Sequence, residues 1–225
     1  MHLLNLFFPN RCPFCDDIIS STVSICNNCS KKYPIGCIKN EFYFQKDKFI
    51  NISPYFYELD IKKSIWKFKF RNHKEYAKSF AYFISQAIKK SDTAQFEIIT
   101  SVPISKERIS ERGYNQTELF AKELAAIFKV KYQILLKKVK NNLEQHTLSL
   151  EKRRQNVTGA YSALRPDIIK GKKILLCDDI ITTGNTIGEC KKILLEAGAN
   201  SVTCATIATA QNQRNKGAEK FWEQI

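Results

Sequence analysis

Along the second half of the chain, short apolar runs alternate with helical stripes. Phe96–Val102 (FEIITSV) is a β-rich run closed by Pro103, which predicts a buried strand whose tip enters a loop. Ser105–Gln116 is polar, basic and glycine-containing, and reads as that loop. Asn115-Gln-Thr-Glu118 has the form of a capping box, and Leu119, Phe120, Leu124, Ile127 and Phe128 then fall on one helical face. Lys173–Cys177 (KILLC) predicts a short strand, Asp178–Thr186 a turn, and Ile187, Cys190, Ile193, Leu194 and Ala197 a helix ended by Gly198. Ser201–Ile207 (SVTCATI) is another buried strand. Strand, glycine turn, helix and strand within about 35 residues make a βαβ unit, and hence parallel strands.

Upstream the pattern is more aromatic. Glu41–Leu59 predicts short strands around the polar turn Gln45–Lys48. Ile61, Ile65 and Phe68 form one helical stripe, and Tyr76, Phe80, Phe83, Ile84 and Ala87 a second. Residues 137–159 are polar and weakly periodic, as expected of a functional loop or lid, and residues 211–225 read as a polar tail. There is no internal repeat.

Five of eight cysteines lie in the first 37 residues. Cys12-Pro-Phe-Cys15 and Cys26-Asn-Asn-Cys29 are two C-x2-C knuckles, and two facing knuckles complete the closed tetrahedral shell of structural zinc. The competing reading, a redox C-x-x-C pair, needs no second pair. Cys37 is either a spare thiol or a ligand exchanging with Cys29. Cys177, Cys190 and Cys204 stand singly in apolar segments, as core thiols do. Residues 1–10 lack the basic start of a secretory signal, and no apolar stretch approaches the ~20 residues of a spanning helix. The expected setting is therefore cytoplasmic, with peripheral association at the inner membrane as an alternative.

The chain of 225 residues carries a net charge of +14, spread along its length rather than gathered in a tail. An excess of this size implies an anionic partner: nucleic acid, a phosphorylated small molecule or an acidic membrane face. Lys62, Lys63, Lys67, Lys69 and Arg71 interleave with Trp66, Phe68 and Phe70, so cations and rings are available for single-stranded DNA. An amphipathic helix with core aromatics has the same pattern. Lys152, Arg153 and Arg154 in the polar segment could close over a ligand or meet DNA.

Asp178-Asp179-Ile-Ile-Thr182-Thr183-Gly184-Asn185-Thr186 joins the end of a parallel strand to a helix start, where open α/β sheets take their ligands. Backbone N–H groups at Thr182–Thr186, a glycine allowing close approach and threonine hydroxyls make a phosphate cradle. Adjacent carboxylates suit ribose hydroxyls, or a hydrated Mg2+. A plain N-capped helix after an acidic strand end is the alternative.

Residues 174–186 resemble the phosphoribosyl-pyrophosphate (PRPP) motif of type I phosphoribosyltransferases. The double C-x2-C, with VPISKERISERGYNQTELFAKELA and LSLEKRRQNVTGAY, resembles the ComF family of competence-related proteins from about Cys12 to Ala210. The resemblance implies an α/β phosphoribosyltransferase-like fold with a parallel sheet core, preceded by a small zinc-ribbon-like module. The expected division is a zinc module over residues 1–40 and a phosphoribosyltransferase-like domain over 41–225: hood 41–95, core 96–210, tail 211–225. It also implies a role in DNA uptake and natural transformation, with incoming single-stranded DNA and proteins of the uptake machinery as partners. Asp178 and Asp179 would accept ribose hydroxyls, and Thr182, Thr183, Gly184 and Thr186, with Asn185 between them, would hold the 5′-phosphate. Lys106, Arg108 and Arg112 would meet pyrophosphate, with Mg2+ accompanying PRPP. Transfer of ribose 5-phosphate to an unidentified amine or base is the alternative function. No acceptor pocket is recognisable in the sequence.

Overall fold

The computed structural model describes residues 9–93, 95–140 and 157–210. Lys152, Arg153 and Arg154 lie outside the described residues, as does the tail 211–225.

In chain order the elements are α1 (Asn27–Lys32), β1 (Ile38–Phe44), β2 (Asp47–Ser53), β3 (Tyr55–Phe56), α2 (Leu59–Phe70), α3 (Tyr76–Lys90), β4 (Ile98–Ser101), α4 (Lys106–Arg112), α5 (Gln116–Phe128), β5 (Lys131–Tyr132), β6 (Leu136–Lys138), β7 (Tyr161–Ala163), α6 (Pro166–Ile169), β8 (Lys173–Ile181), α7 (Asn185–Glu196) and β9 (Ser201–Thr209). The main sheet runs β1-β2-β9-β8-β4-β5, with β3 also pairing β9. All its pairings are parallel except the β1–β2 hairpin at one edge. β1 begins at Ile38 and leads the chain from the cysteine knuckles straight into this sheet.

Alternation along β8 builds two cores. Leu175 and Cys177 face α2, α3 and α5, while Ile174 and Leu176 face α7 and the small β6–β7 sheet. All four are essentially unexposed. This alternation continues into the acidic pair and sends the two carboxylates toward different surroundings.

β8 does not stop at Cys177, as the apolar run suggests. It continues through both aspartates to Ile181 because β9 keeps pairing with it, Asp178 opposite Thr206 and Ile181 opposite Thr209. The turn shortens to Thr182–Gly184. The segment after Pro103 also differs: Lys106–Arg112 is helical, N-capped by the Ser105 side chain, which accepts from the Arg108 amide, and closed at Gly113 with φ 74. None of its residues is buried, so no apolar stripe announced it.

The hairpin covers the glycine turn. A Cβ at Gly188 would lie 2.3 Å from Phe44 Cβ, and one at Gly184 2.9 Å from Phe42 Cδ1. Both phenylalanines are buried, so neither ring has room to retreat. Gly188→Ala should destabilise the fold by about 3 kcal/mol through overpacking. An unchanged urea midpoint would show that the hairpin can lift from α7.

Candidate functional site

The first knuckle is a tight turn in which the Cys12 amide donates to Asp17 O (2.8 Å) and the Asp16 amide to Cys12 O (2.9 Å). The second caps α1: Cys26 Sγ accepts from the Cys29 amide at 3.4 Å. The four sulfurs of Cys12, Cys15, Cys26 and Cys29 lie within 4.8 Å of one another, and Cys15 and Cys26 are 3.6 Å apart. Zn–S bonds of about 2.3 Å in a tetrahedron place sulfurs roughly 3.8 Å apart, so the residues fit zinc with little movement. Cys37 is not in the cluster, which closes the ligand-exchange reading. Cys177, Cys190 and Cys204 are core thiols, their ionisation opposed first by burial.

At the carboxyl end of β8 lies a cleft of about 370 Å³. Asp178, Asp179, the Thr182–Gly184 turn and the first residues of α7, Asn185 and Thr186, line it, with Gly184 at φ 79 permitting the reversal into α7. Glu107, Arg108, Glu111 and Arg112 of α4 also line the cleft, while Lys106 is exposed and does not. Sequence reasoning did not place Gln116, Lys138 and Tyr161 here, and it assigned Lys69 to nucleic acid. These residues come from separate elements, and no local pattern marks their convergence.

Asp179 is the hub of the cleft. Its Oδ1 accepts from Lys69 Nζ at 2.8 Å and its Oδ2 from Gln116 Nε2 at 2.6 Å. Burial works against ionisation, but the Lys69 ammonium and these hydrogen bonds outweigh it and hold the carboxyl below the usual range. Gln116 Oε1 in turn accepts from Arg112 Nη1 at 3.0 Å, and the Arg112 guanidinium lies 4.7 Å over the Phe70 ring. Arg112 Nε is buried and has no partner among the described residues.

Asp178 behaves oppositely. Its Oδ1 accepts from the Asp179 amide at 2.8 Å and the Thr117 hydroxyl at 3.5 Å, but no cation pairs with it directly among the described residues. Burial first, and the neighbouring Asp179 charge second, push its carboxyl up to about 7. An unfolded aspartate titrates near 3.9. Between about pH 4 and pH 7 the folded protein holds a proton that the unfolded chain releases, so this group favours folding at low pH and ceases to as pH rises through 7. Wild type should therefore lose melting temperature relative to Asp178→Asn between pH 4 and pH 7. Parallel curves would refute the assignment.

The basic helix α2 divides its residues sharply. Phe68 is fully buried, so that ring belongs to the core, whereas Trp66 and Phe70 are 45% and 52% exposed with centroids 6.0 Å apart. Arg71 lies 5.1 Å over Trp66. Lys62 is half-buried, 6.0 Å from the Tyr57 ring, and Lys63 is exposed. Lys67 and Lys69 are taken up by acidic partners, Asp16 and Asp179, and are not spare surface charges.

Residues 116–223 match the phosphoribosyl transferase domain, and residues 3–39 the double zinc ribbon domain. DNA utilization protein YhgH of Salmonella typhimurium is 27% identical over 202 residues, covering 85% of this chain and 86% of the relative. Competence protein ComFC of Streptococcus pneumoniae is 37% identical over 147 residues, covering 65% and 62%. The solved adenine phosphoribosyltransferase of Thermoanaerobacter pseudethanolicus aligns over 82% of this chain and 99% of its own, at 15% identity and TM-score 0.37, too loosely to carry an argument. Competence protein F of Haemophilus influenzae is 30% identical over 205 residues, 88% of this chain and 84% of the relative. A zinc ribbon joined to a phosphoribosyltransferase fold, matched over nearly the full length of such a relative, makes this chain a member of the competence protein F family.

Proposed function

We propose that the cleft binds the ribose 5-phosphate portion of PRPP, and that the protein serves DNA uptake in the cytoplasm by handling incoming single-stranded DNA. One observation carries the first part: the acidic pair and the Thr182–Gly184 turn share one cleft with Arg108 and Arg112. The amides and hydroxyls of Thr182–Thr186 hold the 5′-phosphate, the carboxylates accept ribose O2′ and O3′, and the planar arginine forks meet pyrophosphate. The carboxylate oxygens also suit Mg2+, which when bound would neutralise the diphosphate.

The DNA part is supported by the exposed Trp66–Phe70 pair with its two arginines, by the overall charge of +14, and by the names of the relatives. Bases stack on the rings while Lys63 and Arg71 meet phosphates. Oligothymidylate affinity should fall steeply as salt rises, and Trp66→Ala with Phe70→Ala should weaken binding roughly tenfold or more. No binding at low salt would overturn this part.

The alternative is an active transferase. Oxocarbenium character would develop at C1 as pyrophosphate leaves, and Arg108, Arg112, Lys69 and Lys138 line the cleft where they could offset the negative charge gathering on the leaving group. Pyrophosphate release from PRPP across amines and bases tests it, and turnover with any acceptor would favour it over binding alone.

A further inference from the structure

We infer that Asp16, in the turn of the first zinc knuckle, is a positioning residue for the cleft: it acts through α2 to set Lys69 against Asp179, so that ribose-phosphate affinity depends on the metal module. The inference rests on the cleft reading above and adds its regulation.

The module grips α2 at both ends. In the first turn Asp60 accepts from Lys32 Nζ (3.2 Å) and from the Tyr33 hydroxyl. In the last turn Lys67 pairs with one carboxylate oxygen of Asp16, whose other oxygen accepts from the Tyr76 hydroxyl of α3. Asp16 is itself held by the knuckle. It sits at φ 68, with its amide donating to Cys12 O at 2.9 Å and its carbonyl accepting from Arg11 Nη1 at 2.8 Å. The Cys12–Cys15 turn therefore fixes where that carboxylate points.

Helical residues two apart project about 200° from each other. Lys67 consequently leaves α2 toward the knuckle while Lys69 leaves it toward the cleft. Between them Phe68 is fully buried and its carbonyl accepts from the Tyr114 hydroxyl, so the last turn has little freedom to roll. A helix anchored in this way transmits the place of one lysine to the other. At the far end, the Lys69 ammonium offsets Asp179 against an anionic ligand and holds Oδ1 while Gln116 holds Oδ2. Small misplacements of such groups are costly in binding and catalysis.

Asp16→Asn leaves all four cysteines in place. Calorimetry with PRPP is expected to show affinity weakened about tenfold in Asp16→Asn and in Lys69→Met, and no further weakening in the double variant. Zinc should stay at one per chain throughout. Lys67→Met breaks the same link from the other side and should reproduce the loss if Asp16→Asn folds poorly. Unchanged affinity in both link variants, or additive effects of Asp16→Asn and Lys69→Met, would overturn the inference. If the wild type binds no PRPP, the cleft reading itself falls, and hydrogen exchange then decides the link. Faster exchange at the Lys67–Arg71 amides in zinc-replete Asp16→Asn supports it, and unchanged exchange refutes it.

Discussion

Serine at Cys12 and Cys26 together is expected to reduce bound zinc from one per chain to near zero and to undock the N-terminal module. Each substitution removes a ligand from a different knuckle, so neither half of the shell remains intact. Structural zinc contributes on the order of 10 kcal/mol or more to folding a small domain. The module also has much to lose at its seat: the Phe14 ring is stacked 5.7 Å from Phe83 of α3 and lies 4.6 Å from Tyr33. A fall in melting temperature that a chelator reproduces in the wild type is the expected signature. Metal retained at full stoichiometry in the double variant would sink the four-thiolate assignment.

The second large effect is on binding. Asparagine at both Asp178 and Asp179 should weaken PRPP binding by about a hundredfold or more, since hydrogen bonds to charged groups contribute roughly 1.5–3 kcal/mol each. The single variants should differ in stability. Asp178→Asn removes a carboxylate whose ionisation the fold resists, so stability at neutral pH should hold or rise. Asp179→Asn leaves the Lys69 ammonium, at 18% side-chain exposure, without its counter-charge, and should destabilise the protein. Calorimetry for binding and thermal melts for stability separate the two effects. PRPP affinity unchanged in the double variant would remove the ribose from this end of the sheet.

The C-terminal βαβ unit was legible in the sequence because its signals are local. An apolar strand, a glycine at positive φ and a helical stripe all lie within one stretch, and the cysteine spacing is equally local. The helix Lys106–Arg112 was not legible: it buries nothing, so periodicity had no signal, and only Ser105 marked its start. The cleft was half legible. The Asp178–Thr186 lining follows from one segment, whereas Lys69, Gln116 and Lys138 converge from α2, α5 and β6 by folding alone. On α2, neighbouring aromatics were indistinguishable by type. Periodicity set Phe68 on the stripe with Ile61 and Ile65, and its packing against Phe80 and Tyr114 makes it core, while Trp66 and Phe70 stay exposed.

The pairing of β2 with β9 bears on the order in which this chain can become competent. Asn51 faces Cys204 in that pairing, and the Ser53–Thr206 hydroxyl bond spans 153 positions. During synthesis the hairpin and its metal knuckles emerge early, yet β2 has no sheet to join until residues 201–209 have been made. Phe42 and Phe44 likewise wait for Gly184 and Gly188. Closing so long a loop is slow, and an unpaired strand edge invites association meanwhile. On a ribosome, the Thr182–Gly184 turn should acquire its hairpin cover only as the last described strand docks, making a completed cleft one of the final events of folding.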